Sequence, residues 1–405
     1  MCDAGVVIVG AGQAGATLAT GLAQAGYDGP ITLIGEEPYA PYQRPPLSKG
    51  FVNGDVGVDE LLIKPEAYYA QKHIQLIKGR RVHAIQAHAR SVQLDEGEQL
   101  NYRSLVLCTG SRPRVLPIKS AELNRVFSLR NIDDARAIAG ALPEQGRLVI
   151  IGAGYVGLEL AASCVTQGRH VTVLERAGRV MERSASPQVS EHYRAMHEAA
   201  GVNIVCDVNL VELQGGQQVT AVCAGDGRCW PADVVVIGVG AVANMELAQA
   251  AGLQCDDGIL VDAQCRSSDP HIYAAGDCAR QTHALLQTSL RLESVQNATA
   301  QARMIVAHIM NKAPLRSEVP WFWSDQFDTR LQIAGIVQPN HTSILRGDPA
   351  SGSFTMLHVQ GDRLQALEAI NRPADFTLGR KLISEQLEVN IQWLKDEDIP
   401  LYLRD

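Results

Sequence analysis

Two glycine loops carry the first chemical signal. Gly10-Ala11-Gly12-Gln13-Ala14-Gly15 and Gly152-Ala153-Gly154-Tyr155-Val156-Gly157 share the spacing G-x-G-x-x-G, and each follows an aliphatic run. Glycine at these positions lets the backbone approach a pyrophosphate, while the helix opening at the loop supplies free N–H groups and the positive end of its dipole. One such loop is a weak signal. Each copy here is followed about twenty positions later by an acidic residue, Glu36 or Glu175, at the end of the next aliphatic run, where a carboxylate can accept both ribose hydroxyls. Two dinucleotides are therefore expected. A carboxylate at the 2′ position repels the extra phosphate of NADPH, so Glu175 favours NADH; Arg176 and Arg179 are the neighbours that argue for a phosphate.

The segment Tyr42-Gln43-Arg44-Pro45-Pro46-Leu47-Ser48-Lys49 comes soon after the first loop. Two adjacent prolines stiffen it, so it can hold a flat ring from one side, and this assigns a flavin to the first loop. Taken without its neighbours, Pro45-Pro46 is equally a rigid loop and Lys49 a surface charge. Farther on, Ser267 to Asp277 reads as a strand ending in Gly276-Asp277. That carboxylate suits a ribityl hydroxyl, and it also suits a helix N-cap.

The elements that must position these residues are legible as a repeat. A strand at Val6 to Val9, a helix with Leu18, Leu22 and Ala25 on one face, and a strand at Ile31 to Ile34 surround the first loop. The same grammar returns as Leu148 to Ile151, a helix from Leu158 to Gln167, and Val171 to Leu174, so the design is duplicated. Leu105 to Gly110 and Val234 to Gly240 are matching strand-to-turn pieces. From Gln296 to Met310, Ala298, Ala302, Ile305, Val306 and Ile309 share a helical face, and Pro314 and Pro320 bracket a linker with a boundary near 319. Beyond it, strand-like pieces at Leu331 to Ile333, Ser343 to Leu345 and Phe354 to Leu357 precede an amphipathic helix around Leu378 to Leu387, reading as a smaller α+β appendage. The expected division is an FAD-binding domain over 1–112 and 247–319, an NADH-binding domain over 113–246, and a C-terminal α+β interface domain over 320–405.

Composition excludes several classes. The 405 residues suit two to three domains. With 46% hydrophobic and 20% charged residues the chain is neither disordered nor membrane-spanning in type, and a net charge of −8 disfavours nucleic acid and anionic membranes as partners. Nine cysteines include no CxxC; the nearest pair is Cys223 and Cys229, which argues against a redox or zinc cluster and for a reducing compartment. No metal site is expected. Only Met1 to Gly5 precede the first strand, too few for a signal peptide, and the expected location is the cytoplasm.

Further strings sharpen the reading: Thr109-Gly110, Glu293-Ser294-Val295 and Pro320-Trp321-Phe322-Trp323-Ser324-Asp325-Gln326. With the two glycine loops, Pro-Pro-Leu-Ser-Lys and Gly276-Asp277, they closely resemble the putidaredoxin reductase family, the flavoprotein ferredoxin reductases of bacterial oxygenase systems. The likeness runs from the first strand to Asn371-Arg372-Pro373. It implies an α/β chain with two Rossmann-like dinucleotide-binding domains on the glutathione-reductase-like plan and a C-terminal α+β domain. It further implies FAD contacts at Gly12, Ala14, Gly15, Glu36, Arg44, Lys49, Val82, Thr109, Gly110, Arg130, Asp277 and Val295, beside Gly10 of the motif. Pro46 would face the isoalloxazine, with Trp321 near its other side. NADH contacts would fall on Gly152, Gly154, Tyr155, Val156, Gly157, Glu159, Glu175 and Gly240. Two positions depart from the family pattern: Gln296 stands where proline occurs, and Ala243 precedes Asn244 where proline is common.

Flavin chemistry converts a two-electron hydride donor into single-electron deliveries, and hydride transfer needs the two rings about 3 to 3.5 Å apart. By resemblance Lys49 lies near the flavin N5 with Glu159 its partner on the nicotinamide side; Glu159 alone is equally a carboxylate stabilising a helix dipole. The proline-paired segment holds no cysteine, and Cys108, Cys164 and Cys278 sit among apolar or small residues, so the electrons are expected to leave for a small acidic [2Fe-2S] ferredoxin serving a haem-thiolate monooxygenase or ring-hydroxylating dioxygenase. Arg291, Arg303, Lys312 and Arg316 against Glu293 give a local charge of +3 in an acidic chain, a docking candidate with Trp323 as an aromatic contact. A rubredoxin reductase, an NADH oxidase or a regulatory flavoprotein of the apoptosis-inducing type are the alternatives.

Overall fold

The computed structural model describes residues 4–401; Met1–Asp3, with Cys2 and most of the segment on which the leaderless N terminus was argued, and 402–405 lie outside the described residues. The chain forms two compact units, one of residues 1–43, 58–112 and 241–318, the other of 44–57, 113–240 and 319–405.

The first unit is built on a 7-stranded sheet. Its parallel strands run Ile74–Ile77, Ile31–Ile34, Gly5–Val9, Gln99–Leu107, with Ile272–Ala274 also on Gln99–Leu107. Gly5–Val9 is buried along its whole length, as an uninterrupted aliphatic strand at the centre of a parallel sheet must be. The helix Gln13–Gln24 lays Leu18 and Leu22, both 0% exposed, against the sheet and packs on the helix Val295–Ile309, whose Ala302 and Ile305 are equally buried. Both helices match the expected periodicity. Only Ile272–Ala274 of the expected long strand before Gly276 is formed. Asp277 caps no helix, because the next element is the strand Ala279–His283.

The second unit repeats the design in a 5-stranded parallel sheet ordered Asn203–Val205, His170–Leu174, Arg147–Ile151, Val234–Ile237, Val126–Phe127. Its helix Tyr155–Val165 is buried over Leu158–Ala162. The C-terminal part is a 5-stranded antiparallel sheet, ordered Trp321–Gln326, Thr329–Gly335, Arg363–Ile370, Ser353–Gln360, Thr342–Asp348. Its helix begins at Pro373 and runs to Glu385, several residues before the apolar periodicity suggested, because proline is well placed in a first turn. Leu331, Phe354, Met356 and Ile370 share one apolar core with Ile150, Leu158 and Tyr193, which is why 319–405 and 113–240 form one body. The proline-paired segment joins it: Pro45–Ser48 winds into a short 3-10 helix rather than an open loop, and Val52 enters the same core.

The cysteines carry one feature that their spacing does not announce. Cys223 and Cys229 lie opposite each other in a hairpin, their Cα atoms 4.2 Å apart, and form a disulfide. The hairpin turn between them is what brings two cysteines six positions apart into bonding distance.

Candidate active site

In each glycine loop the three glycines do different work. Gly10 has φ 112°, and a Cβ there would sit 2.0 Å from the Cys108 carbonyl oxygen; a Cβ on Gly15 would sit 2.0 Å from the Gly10 oxygen. Gly12 faces open space. The second loop repeats this: Gly152 at φ 106° would meet Gly238 O at 2.5 Å, Gly157 would meet Gly152 O at 2.3 Å, and Gly154 meets nothing within 4 Å. First and third glycines are thus required by packing, while the middle one leaves room for a bound pyrophosphate. Two cradles therefore fit two dinucleotides.

The flanking groups of the first unit suit the same use. Glu36 is exposed at the end of its strand, its nearest cation Arg81 at 3.7 Å. Ala14 and Val82 are buried. Thr109 Oγ1 donates to Asn244 O at 2.6 Å and Asn244 Nδ2 donates to Thr109 O at 2.9 Å, which fixes the turn at Gly110, φ 66°. Asp277 accepts from Ser111 Oγ at 2.9 Å. Val295 opens its helix, and beside it Gln296 Oε1 is buried without a hydrogen-bond partner, an acceptor that a bound group could satisfy. Asn244 had no role in the sequence reading beyond its missing proline.

In the second unit Glu175 is bound into the loop it follows. Its Oε2 accepts from Ala153 N at 2.7 Å and its Oε1 from Ala177 N at 2.8 Å. Arg179 does not compete for a phosphate, because its guanidinium bonds Ala185 O at 2.7 Å, Ser190 Oγ at 2.5 Å and Glu182 O at 3.0 Å; Arg176 remains exposed. Tyr155 lies 4.5 Å, centroid to centroid, from Phe322, and burial pushes its phenol pKa up; Val156 beside it is 49% exposed. Gly240 takes φ 102°.

The Lys49 cation is 2.6 Å from Glu159 Oε2, and Glu159 is 7% exposed. Lys49 also donates to Pro45 O at 3.2 Å. Ser48 Oγ donates to Glu159 Oε2 and Ser324 Oγ to Oε1, each at 2.6 Å. A carboxyl group so buried needs hydrogen-bond partners, and these supply them, so Glu159 is more than a helix-dipole residue. Both serines stand in strings recognised in the sequence, but nothing local said that they would meet one carboxylate. Arg44 Nη1 donates to Arg130 O at 2.6 Å, bringing two more expected residues together. Trp321 packs against Phe376 at 5.5 Å and under Arg380 at 5.0 Å.

Among the described residues no buried thiol is poised for exchange. Burial raises the pKa of Cys108 and Cys278, and pushes Cys164 up to about 11 and Cys265 to about 12. Among the expected docking cations Arg303, Lys312 and Arg316 are exposed. Arg291 is not available: its side chain is 11% exposed, paired with Glu293 at 2.5 Å and Asp257 at 3.4 Å. Trp323 is half-buried. No helix among the described residues is long and apolar enough to cross a membrane.

Two cradles and a cysteine-free lysine–carboxylate pair define a two-nucleotide oxidoreductase. A family model described as pyridine nucleotide-disulphide oxidoreductase matches residues 4–302, and one described as reductase C-terminal matches 321–403. The chain belongs to the pyridine nucleotide-disulphide oxidoreductase family, in the branch that carries this C-terminal domain. It is 42% identical over 404 residues to putidaredoxin reductase CamA of Pseudomonas putida, covering 98% of this chain and 95% of that one. It is 38% identical over 393 residues to a probable ferredoxin reductase of Castellaniella defragrans, covering 96% of each. The structure matches a covalent putidaredoxin reductase–putidaredoxin complex with TM-score 0.96 at 41% identity, over 99% of this chain and 98% of that chain. The resemblance read from the motifs and the α/β class are borne out, and with them FAD and NAD(H) as the cofactors.

Proposed function

We propose that this chain is an NADH-dependent ferredoxin reductase that passes single electrons to a small acidic [2Fe-2S] ferredoxin serving a haem-thiolate monooxygenase or a ring-hydroxylating dioxygenase. The observation that carries the reading is the pair of open middle glycines, Gly12 and Gly154, each with its acidic residue, in a chain whose buried thiols are held protonated. The domain roles follow: FAD on 1–112 and 247–319, NADH on 113–246, and the partner met by 320–405, with Arg303, Lys312 and Arg316 as candidate cations.

FAD would be held by the first cradle and Glu36, with Val82, Thr109, Gly110, Asp277 and Val295, and with Arg44, Lys49, Arg130 and Trp321 from the second unit's sequence. Bound flavin supplies the ability to take two electrons together and release them one at a time. The second cradle, Tyr155, Val156 and Glu175 orient the nicotinamide nucleotide, and Gly240 takes the positive φ its turn requires. Glu159 holds Lys49 in place through the ion pair at 2.6 Å. Ser48 and Ser324 hold the Glu159 carboxylate by donating to it. A ferredoxin rich in acidic residues would meet Arg303, Lys312 and Arg316, with Trp323 as an aromatic contact. Cytoplasmic placement goes with this role; the Cys223–Cys229 bond would then be reduced there in the working protein.

Anaerobic mixing of the purified yellow protein with NADH, followed by cytochrome c reduction with and without a [2Fe-2S] ferredoxin from the same genome, tests the proposal. Bleaching by NADH and strict dependence of onward transfer on the ferredoxin are expected. Bleaching without onward transfer selects a regulatory flavoprotein, transfer only to rubredoxin a rubredoxin reductase, and stoichiometric peroxide in air an oxidase. Ferredoxin-dependent turnover should also fall steeply between low and high salt while ferricyanide reduction changes little; equal sensitivity would count against charge-guided docking.

A further inference from the structure

Glu159 is the end of a buried chain of donors. Gln326 Nε2 donates to Ser324 Oγ at 3.1 Å, Ser324 Oγ donates to Glu159 Oε1 at 2.6 Å, and His197 Nε2 lies 2.8 Å from Gln326 Oε1. None of the four side chains is on the surface: Ser324 and His197 are 0% exposed, Gln326 1% and Glu159 7%. One direction of donation satisfies these atoms. The Gln326 oxygen accepts from a protonated His197 Nε2, its nitrogen donates onward, and the serine proton points at the carboxylate. His197 Nδ1 is then a lone pair, and it is indeed buried without a partner.

We propose that Ser324, fixed by Gln326 and His197, is a positioning residue of the hydride-transfer site that sets the rotation of the Glu159 carboxylate and so the place of Lys49. This rests on the reductase reading above. The physical reason lies in where the donors fall. Ser48 and Lys49 both reach Oε2, and two donors on one oxygen leave the carboxylate free to turn about its last bond, a torsion with broad wells. A third donor on the other oxygen removes that freedom. A polar chain this deep is not required for a stable core, since apolar residues of similar size serve as well. That it ends on the carboxylate that holds Lys49 gives it a use.

Ser324→Ala and Ser324→Thr are compared with the wild-type holoenzyme, after wild-type reduction by NADH has been established; its absence would sink the reductase reading instead. In crystals of Ser324→Ala the Glu159 carboxylate is expected to turn and Lys49 Nζ to leave Oε2. The limiting rate of flavin reduction is expected to fall about tenfold with NAD+ affinity within about twofold, and Ser324→Thr, which keeps the hydroxyl, to restore most of the rate. Gln326→Met, which removes the donor behind Ser324, should lose about threefold and covers the case in which Ser324→Ala does not fold. An unmoved carboxylate, an undiminished rate in the variant that folds, or a loss expressed only as weaker NAD+ binding overturns the proposal.

Discussion

Lys49 Nζ and Glu159 Oε2 are 2.6 Å apart although the lysine side chain is 27% exposed and the glutamate 8%. The charge facing solvent is thus tethered to one that is not. Replacing Lys49 by Met removes the only cation paired with Glu159 among the described residues and leaves two serine donors behind. The variant should bind flavin and stay yellow, while stopped-flow reduction by NADH slows at least about tenfold. An unaltered rate would remove Lys49 from the hydride step.

The second glycine loop separates packing from binding. Gly154 has φ −80° and open space around its missing Cβ, so Gly154→Ala should fold with a melting temperature near wild type and lose NADH affinity. Gly157→Ala would place a Cβ 2.3 Å from Gly152 O and should melt much earlier. Thermal melts paired with NADH titrations check both. Full NADH affinity in Gly154→Ala would mean that no pyrophosphate lies over that glycine.

Glu175, proposed to read the ribose, also holds its own loop through Ala153 N and Ala177 N. Glu175→Arg should therefore weaken NADH and shift the NADPH-to-NADH ratio of kcat/KM upward by about tenfold or more. If the ratio stays put while both values drop together, the carboxylate shapes the loop and does not read the ribose.

Burial holds His197 below its ordinary value near 6.5 and outweighs the bond to Gln326. The unfolded chain therefore binds a proton on this residue between the folded pKa and about 6.5, and the folded chain does not. Stability present above pH 6.5 is lost as pH falls through that window, by up to ~1.4 kcal/mol per pH unit from this group. Urea unfolding at pH 7 and pH 5.5 should show the decline, and His197→Gln should flatten it. His192, His283 and His341, shifted down by burial as well, leave a residual slope of the same sign.

Much of this molecule is written in short stretches of chain. The glycine loops, their strands and the helices behind them are local patterns, and local sterics decide them: a Cβ at Gly10 or Gly15 collides with a backbone atom of the same turn or of the strand beside it. The Pro45–Ser48 segment was recognisable as rigid, and its winding into a 3-10 helix is a small refinement. Less could be read where the chain meets itself at a distance. Arg291 reads as a surface cation because its ion partner Asp257 is far back in the sequence, and the Cys223–Cys229 bond depends on a hairpin register that spacing alone does not give.

Two nucleotide cradles, each with its carboxylate, are written into the chain locally, because a glycine's freedom and a strand's periodicity act over a few residues. The surroundings of Glu159 come from the folded molecule, which gathers Ser48 from 111 positions away and Ser324 from 165. A buried charge has to be satisfied by whatever donors the packing delivers, and packing is a property of the folded chain and of no segment within it.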